Sequence, residues 1–126
     1  MLKKINPTKT KAWAKLKDHY NQIHDKHMVN MFDEDPDRAD KFSIVFNEIL
    51  IDYSKNRIND ETKKLLIELA GEVDLKGAIN SMFTGEKINL TERRAVLQVA
   101  LSNRLNAPIY VDNQEVMPDI NQVLDE

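Results

Sequence analysis

Cysteine is absent from this 126-residue sequence, and glycine occurs only three times, at Gly71, Gly77 and Gly85. Without cysteine the chain can form no disulfide, thiolate metal site or thiol nucleophile, which is typical of a reducing compartment. We therefore expect a cytoplasmic protein. Because no two glycines are adjacent, the sequence offers no glycine-rich loop that could surround a phosphate group with backbone N–H groups.

The sequence also lacks a long apolar run and a strong charge of either sign. No apolar stretch approaches the 18 or more residues of a membrane span, and the lysine-rich start has no signal-peptide pattern. A net charge of −3 and a sequence pI near 5.6 give no general attraction for nucleic acid. We expect no membrane and no nucleic-acid partner. A basic arm that touches nucleic acid is the weaker reading of the early lysines, and the solvated face of a first helix is the favoured one.

With 41% apolar and 31% charged residues, the chain has the composition of a globular protein of one domain. Apolar side chains recur at steps of three and four from Thr10 to about Met31, which predicts one helix. The acidic segment 33–37 contains Pro36 and predicts a loop after that helix. The predicted buried stripe consists of Trp13, Leu16, Tyr20, Ile23, His27 and Met31.

Two short β-rich runs follow the acidic loop. Phe42 to Phe46 alternates in polarity, and Ile49 to Tyr53 is again β-branched and aromatic, so the pair predicts an antiparallel hairpin. Asn47 suits the positive φ of a tight turn, whereas Glu48 is a poor substitute for glycine in that turn. The existence of the hairpin is better supported than its register.

The second half predicts short helices with caps. Asn59 starts one that buries Leu65, Leu66, Leu69 and Ala70 and stops at Gly71, and Asp74 starts another that ends near Gly85. Asn89 and Glu92 have the spacing of a capping box, which predicts a helix from about Leu90 carrying Ala95, Val96, Val99 and Ala100.

A small ribbon around Asp112 and Asn113 is predicted next, followed by a last helix with Pro118 in its first turn. That helix stops after about two turns with no closing glycine or asparagine. The pattern favours a protein that continues beyond it.

The titratable residues suggest little chemistry. His24 and His27 are three residues apart, but a third metal ligand is not evident, so we expect His27 on the packed stripe with His19 and His24 near water. The acids at 33, 35 and 37 open like a calcium loop but lack its glycine and its final glutamate. We expect no metal site. The charged residues near position 90 are expected to be structural, with Glu92 satisfying backbone donors and Arg94 forming an ion pair.

Three ordered blocks carry a more specific pattern. Met82–Ser102 follows Met-Phe-x-Gly-Glu-Lys-Ile-Asn-x-Thr-Glu-x-Arg-Ala-Val-Leu-His-x-Ala-Leu-Arg, except that Gln98 replaces the histidine and Ser102 replaces the final arginine. Ile49–Asn56 resembles Leu/Val-Asp-Tyr-Ser-Lys-Asn, and Val111–Pro118 resembles Val-Asp-Gly-x-x-Val-Met-Pro, with Asn113 at the glycine position. These blocks resemble the phosphoglucose isomerase family. The motif residues of the longest block are Gly85, Glu86, Lys87, Asn89, Thr91, Glu92 and Arg94.

The resemblance implies a reaction for the whole enzyme. Family members interconvert glucose 6-phosphate and fructose 6-phosphate without a cofactor, and a glutamate carries a proton between C2 and C1 through a cis-enediol intermediate. The family's Gly-Gly-Ser phosphate loop and its Gln-x-Gly-Val-Glu-x-x-Lys signature do not occur in these 126 residues. The resemblance therefore assigns no catalytic or substrate-binding residue to this chain. Gln98 cannot titrate, and Arg104, two residues beyond Ser102, would point elsewhere on a helix.

Sequence and resemblance together predict a mostly α-helical α+β segment with short antiparallel hairpins. It would be similar to the N-terminal helical part of the family's two-domain α/β fold, an αβα sandwich of the sugar-isomerase type. We expect residues 1–126 to be one incomplete N-terminal segment, with a helical arm and acidic loop at 1–40, a hairpin at 41–56, and helices with a ribbon at 57–126.

Two functions follow from this reading. The first is the front part of an isomerase, inactive by itself, whose partners are the remainder of the isomerase chain and, for the complete and homodimeric enzyme, hexose 6-phosphate. The alternative is a stand-alone helical module that binds another protein. Which of the two applies depends on whether the gene continues past residue 126.

Overall fold

The computed structural model describes residues 3–125, so both ends of the predicted 1–126 segment lie outside the described residues. About half of the described chain is helical, and two small antiparallel hairpins complete it, which agrees with an α+β segment. The chain divides into two compact units, Thr8–Leu69 and residues 3–7 with 70–125. None of the described helices is long and apolar enough to cross a membrane.

The first unit contains three helices, a hairpin and most of a fourth helix. The elements are α1 (Lys11–Ile23), α2 (Met28–Glu34), α3 (Arg38–Lys41), β1 (Ser43–Phe46), β2 (Ile49–Asp52) and α4 (Asp60–Glu72). The second unit contains α5 (Leu75–Phe83), α6 (Gln98–Leu101), β3 (Tyr110–Val111), β4 (Gln114–Glu115) and α7 (Met117–Asp125).

The predicted first helix starts where expected but is shorter. Thr10 caps α1, because its side chain accepts a hydrogen bond from the Trp13 N–H at 3.2 Å. The helix ends at Ile23 rather than near Met31, and His27 caps a separate α2 by accepting from the Val29 N–H at 3.4 Å. A side chain that bonds to the nearby backbone offers an alternative to a continuous helix, and the sequence period did not reveal it.

The buried side of α1 also differs from the predicted stripe. Ala12 and His19 are buried, whereas Tyr20 is 62% exposed and His27 is exposed. His19 Nε2 lies 2.7 Å from Thr62 Oγ1 and 3.1 Å from Asn59 Oδ1. The placement of His19 near water and of His27 on the packed stripe was therefore wrong. The face of α1 that packs is the one whose polar side chain finds partners on α4.

The acidic segment is only partly a loop, because α2 extends to Glu34 and α3 begins at Arg38. Lys41 Nζ lies 2.8 Å from Asp35 Oδ1, and this hydrogen bond raises the pKa of the lysine. Phe42, directly after α3, is 1% exposed and meets Tyr53 edge to face with ring centroids 5.8 Å apart. The core of this unit lies around Phe42, Ala12, Met31 and Leu65.

The predicted hairpin is confirmed. Ser43 pairs with Asp52 and Phe46 with Ile49, and Asn47 has the expected positive φ, 53°. The six apolar residues between those ends are 52–72% exposed, so this ribbon has no packed face within its own unit: Ile44, Val45, Phe46, Ile49, Leu50 and Ile51.

Helix α4 starts after Asn59, as expected. Asn59 Oδ1 accepts from the Thr62 N–H at 2.9 Å, and Thr62 Oγ1 accepts in return from the Asn59 N–H at 3.1 Å. The helix runs through Gly71 to Glu72, so the predicted stop at Gly71 was wrong, and Leu66 is 46% exposed rather than buried. A single glycine lowers helix propensity but does not forbid a helical residue.

The ribbon and the last helix of the second unit were predicted correctly. Asp112 and Asn113 have φ values of 51° and 65° and join β3 to β4. Pro118 lies in the first turn of α7, where its missing N–H leaves no intrahelical bond unmade. Ala100, Ile109 and Met117 form the buried core of this unit, surrounded by Leu97, Val99, Val116 and Ile120.

We expect His19→Ala to lower the free energy of unfolding by about 2 kcal/mol, because it removes the hydrogen bonds to Thr62 and Asn59 and leaves a cavity between α1 and α4. Urea denaturation at pH 7 measures the change. His24→Ala is the matched control at the end of the same helix, since His24 stacks on Tyr20 and has only local contacts, with Asp25 Oδ2 at 3.1 Å and the Tyr20 carbonyl at 3.2 Å. Equal destabilisation by the two substitutions would contradict the assigned role of His19.

Candidate functional site

Two of the three motif blocks meet in the second unit. The chain leaves α5 through Gly85, whose φ is 76°. A Cβ atom at this position would lie 2.4 Å from the carbonyl oxygen of Tyr110 in β3, closer than any side chain can approach. Residue 85 therefore satisfies two requirements that only glycine meets, the left-handed conformation and contact with a neighbouring backbone.

The two motif residues after Gly85 also hold the chain near the end of α5 and near the β3–β4 ribbon. Glu86 N–H donates to the Ser81 carbonyl at 3.0 Å, and Ser81 Oγ donates to Glu86 Oε2 at 3.1 Å, which returns the chain to the end of α5. Lys87 Nζ lies 2.7 Å from Asp112 Oδ2 at the tip of the β3–β4 ribbon. This ion pair is largely exposed, so it orients the two blocks more than it stabilises them.

Asn89, Glu92 and Arg94 form a turn rather than the predicted helix start. Asn89 Oδ1 accepts from the Glu92 N–H at 3.1 Å, as a capping box requires. However, Glu92 Oε2 accepts from the Asn89 side-chain amide, at 3.0 Å, and from Arg94, instead of from a backbone N–H. The ion pair expected for Arg94 is present. The expected hydrogen bonds from backbone N–H groups to the Glu92 side chain are not made within the described chain, since its acceptor oxygen is used by Asn89 and Arg94.

The helix predicted from about Leu90 does not form because the backbone reverses there. Arg93 has a φ of 55°, and the backbones of Asn89 and Arg94 bond to each other in both directions, at 3.1 and 3.3 Å. Thr91 lies exposed at the tip of this reversal. Helical geometry begins only at Gln98, where α6 makes a single turn. A capping pattern is equally compatible with a local turn, since the same side-chain bond serves both.

An open groove of about 640 Å³ lies beside α6. Gln98 and Ser102, the two positions that depart from the sequence pattern, both line it, and so does Arg104. The expectation that Arg104 points away from position 102 was wrong, because α6 ends at Leu101 and the following residues are not helical. The apolar part of the lining consists of Met82, Phe83, Val99, Leu105, Ala107, Pro108 and Ile109.

The groove was not predicted, because residues 90–105 were expected to form one packed helix. Leu105 is 91% exposed within a segment rich in asparagine. The signal available in the sequence was an apolar residue in such a segment that lies outside the predicted stripe of Ala95, Val96, Val99 and Ala100. Among the described residues that line the groove, Arg104 is the one charged side chain, and there is no carboxylate.

The third block, in the first unit, is also held by local hydrogen bonds. The Ser54 N–H donates to Asp52 Oδ1 at 2.8 Å, and Ser54 itself is 2% exposed. Hydrogen bonds from the Ser54 hydroxyl and then from its N–H lower the pKa of Asp52. The Tyr53 N–H donates to the Phe42 carbonyl at 2.9 Å, which fixes the end of β2 on the core.

The three histidines do not come together. His19 is buried against α4, His24 Nε2 lies 3.1 Å from Asp25 Oδ2, and His27 caps α2. Among residues 3–125 no three potential metal ligands of the types His, Cys, Asp or Glu are grouped. The motif residues make structural contacts, and none of them is among the described residues that line the groove.

A protein-family model for phosphoglucose isomerase matches residues 52–126 of the chain. The match begins at Asp52 in the third block and includes the whole of the two blocks that meet in the second unit. Both contacts described above, of Gly85 with Tyr110 and of Lys87 with Asp112, thus lie inside the matched range.

We expect Gly85→Ala to destabilise the protein by about 2 kcal/mol or more, because the new methyl group would meet the Tyr110 carbonyl in a left-handed conformation. Thermal or urea unfolding measures the change. Gly71→Ala is the matched control, since its Cβ would meet nothing within 4 Å and its helical backbone favours alanine by about 0.5–1 kcal/mol. Tolerance of alanine at position 85 would refute the close approach.

We expect Asp52→Asn to make the protein less sensitive to acid. The pKa of Asp52 is lowered in the folded state, so its contribution is complete above the unfolded-state pKa and is lost as the pH falls through the folded-state value. The free energies of unfolding of the two proteins, measured between pH 3 and 7, should therefore converge as the pH falls. A difference in the free energy of unfolding that stays constant over that range would show that the Asp52 carboxylate does not stabilise the folded state.

Proposed function

The chain belongs to the phosphoglucose isomerase family, and on that premise we propose that it forms the N-terminal portion of a cytoplasmic glucose-6-phosphate isomerase. The complete enzyme interconverts glucose 6-phosphate and fructose 6-phosphate in glycolysis and gluconeogenesis. The role of residues 1–126 is to build a helical shell on which the catalytic part of the same polypeptide packs. The family match over residues 52–126 is the observation that carries this proposal.

The exposed hairpin supports a packing role. A two-stranded ribbon is marginally stable by itself in water, and β1–β2 exposes apolar side chains on both of its faces. Ile44, Phe46, Ile49 and Ile51 share one face, and Val45 and Leu50 share the other. Contiguous apolar surface of this kind marks an interaction site, and the remainder of an isomerase chain is the partner we propose for it.

Two further apolar surfaces support the same role in the second unit. Leu105 is 91% exposed beside the groove at α6, and Val123 and Leu124 in α7 are 66% and 56% exposed. Their burial in the complete enzyme would stabilise it by roughly 1.5–3 kcal/mol for each fully covered side chain. We propose that the fold is the front of the family's αβα sandwich of the sugar-isomerase type.

The charged motif residues are engaged in structural contacts rather than poised for proton transfer. Glu86 accepts from Ser81, Lys87 pairs with Asp112, and Arg94 pairs with Glu92. The reaction needs a general base that moves a proton between C2 and C1, positive charge near the enediolate, and donors for the phosphate. We propose that downstream residues provide these groups and that the complete enzyme is a homodimer without a cofactor.

The alternative is a stand-alone helical module that uses the α6 groove to bind another protein. Its apolar lining favours this reading, because a groove of that kind suits an apolar segment of a partner. The nucleotide sequence downstream of codon 126 separates the two functions. Continuation into a Gly-Gly-Ser loop selects the isomerase, and a stop codon selects the module.

We expect the purified 126-residue chain to convert no fructose 6-phosphate in an assay coupled to glucose-6-phosphate dehydrogenase. The reason is that its charged motif side chains are engaged in other contacts and that the described residues lining the groove include no carboxylate or histidine. A complete isomerase of the family, assayed in parallel, is the positive control. Turnover that rises in proportion to the concentration of the purified chain would overturn the proposed division of labour.

A further inference from the structure

Arg38 is the most buried charged residue of the described chain. Its side chain starts from α3 and is 2% exposed. A buried cation usually pairs with a carboxylate, because an uncompensated charge is costly in a protein interior. Arg38 instead directs its guanidinium group at the segment that follows β2, which includes part of the third motif block.

Three backbone carbonyl oxygens of that segment converge on the guanidinium group. Nε donates to the Ser54 carbonyl at 2.8 Å, while Nη2 donates to the Asn56 carbonyl at 2.7 Å and to the Ile58 carbonyl at 2.8 Å. The three acceptors stand at alternate positions of the chain. A planar group with several fixed donors can join them at once, which a lysine ammonium on a flexible stem cannot do with the same geometry.

Aromatic rings complete the surroundings of the cation. The guanidinium carbon lies 4.8 Å from the centroid of Phe42 and 5.5 Å from that of Phe32, within the range of a cation–π contact. Glu34, Asp35 and Asp60 line the same small depression of about 150 Å³ as Arg38. The direct partners of the positive charge are thus three carbonyl dipoles and two rings.

The segment that Arg38 holds has few other long-range constraints. Between Ser54 and Ile58 the backbone bonds are local, from the Asn56 N–H to Tyr53 at 3.0 Å and from the Ile58 N–H to Asn56 at 2.8 Å. Bonds of this kind close small turns but do not attach the segment to the rest of the unit. The guanidinium group of Arg38 joins it to α3 over 16 to 20 positions of sequence. One exposed side chain of the segment also reaches a distant residue, since Arg57 Nη2 donates to the Lys26 carbonyl at 3.0 Å.

We infer that Arg38 is a positioning residue, a latch that sets the conformation of residues 54–58 and with it the connection between the hairpin and α4. Release of the latch frees the segment while the helices stay folded. The inference concerns the first unit alone and does not depend on the proposed isomerase function.

Arg38→Lys tests the latch, with amide hydrogen exchange as the measurement. We expect the amides of Asn56 and Ile58 to exchange at least about tenfold faster, because charge-assisted bonds to the carbonyls are lost, while amides in the middle of α1 change by less than about threefold. Arg57→Lys is the matched control, since Arg57 is exposed and donates a single bond, to the Lys26 carbonyl at 3.0 Å. A uniform increase over the whole unit, or no increase at positions 56 and 58, would overturn the inference.

Chemical rescue provides a second readout that general destabilisation would not give. Arg38→Ala should leave a space, walled by the three carbonyls and the ring of Phe42, that methylguanidinium can occupy. We expect millimolar methylguanidinium to restore protection at Asn56 and Ile58, and methylammonium at equal concentration to restore none. Equal effects of the two cations would count against the latch. If this variant does not fold, Arg38→Lys decides the question alone.

Discussion

The need to satisfy buried polar groups organises this chain. The described residues bury seven apolar side chains and also five polar or charged ones, so packing alone cannot account for the way the elements meet. Arg38, His19 and Thr62 each lie within hydrogen-bonding distance of partners on another segment. A buried polar group without a partner costs more than the bond itself contributes, so each of these contacts excludes alternative placements of its element.

That requirement explains the orientation of α1. The helix has apolar side chains on more than one side, and hydrophobic burial alone would accept several rotations about its axis. His19 removes this freedom because it must face Asn59 and Thr62, which themselves form the reciprocal cap of α4. Tyr20 is consequently exposed. One polar side chain outweighs a larger aromatic one in choosing the buried face.

The second unit depends on the close approach of two backbones rather than on a buried polar side chain. Gly85 permits the end of α5 to touch β3, and the contact brings the longest motif block close to the Val111–Pro118 block. The ion pair of Lys87 with Asp112 lies at the edge of that contact and adds direction to it. In this unit the residues of the family pattern therefore make contacts that hold the end of α5 against β3. We propose that the groups for the reaction itself lie in polypeptide outside these residues.

Local sequence determined the features whose causes are local. The sequence predicted the hairpin with Asn47 at its turn, the caps at Asn59 and Asp74, and the ribbon at Asp112, because each is encoded within a few residues. Only the tertiary structure decided that Asn89 begins a turn, that His27 divides the first helix, and that Gln98, Ser102 and Arg104 share a groove. The physical reason is that a side chain such as asparagine or histidine bonds equally well to a helix start, a turn or a distant partner, and the choice among these depends on segments far away in the sequence.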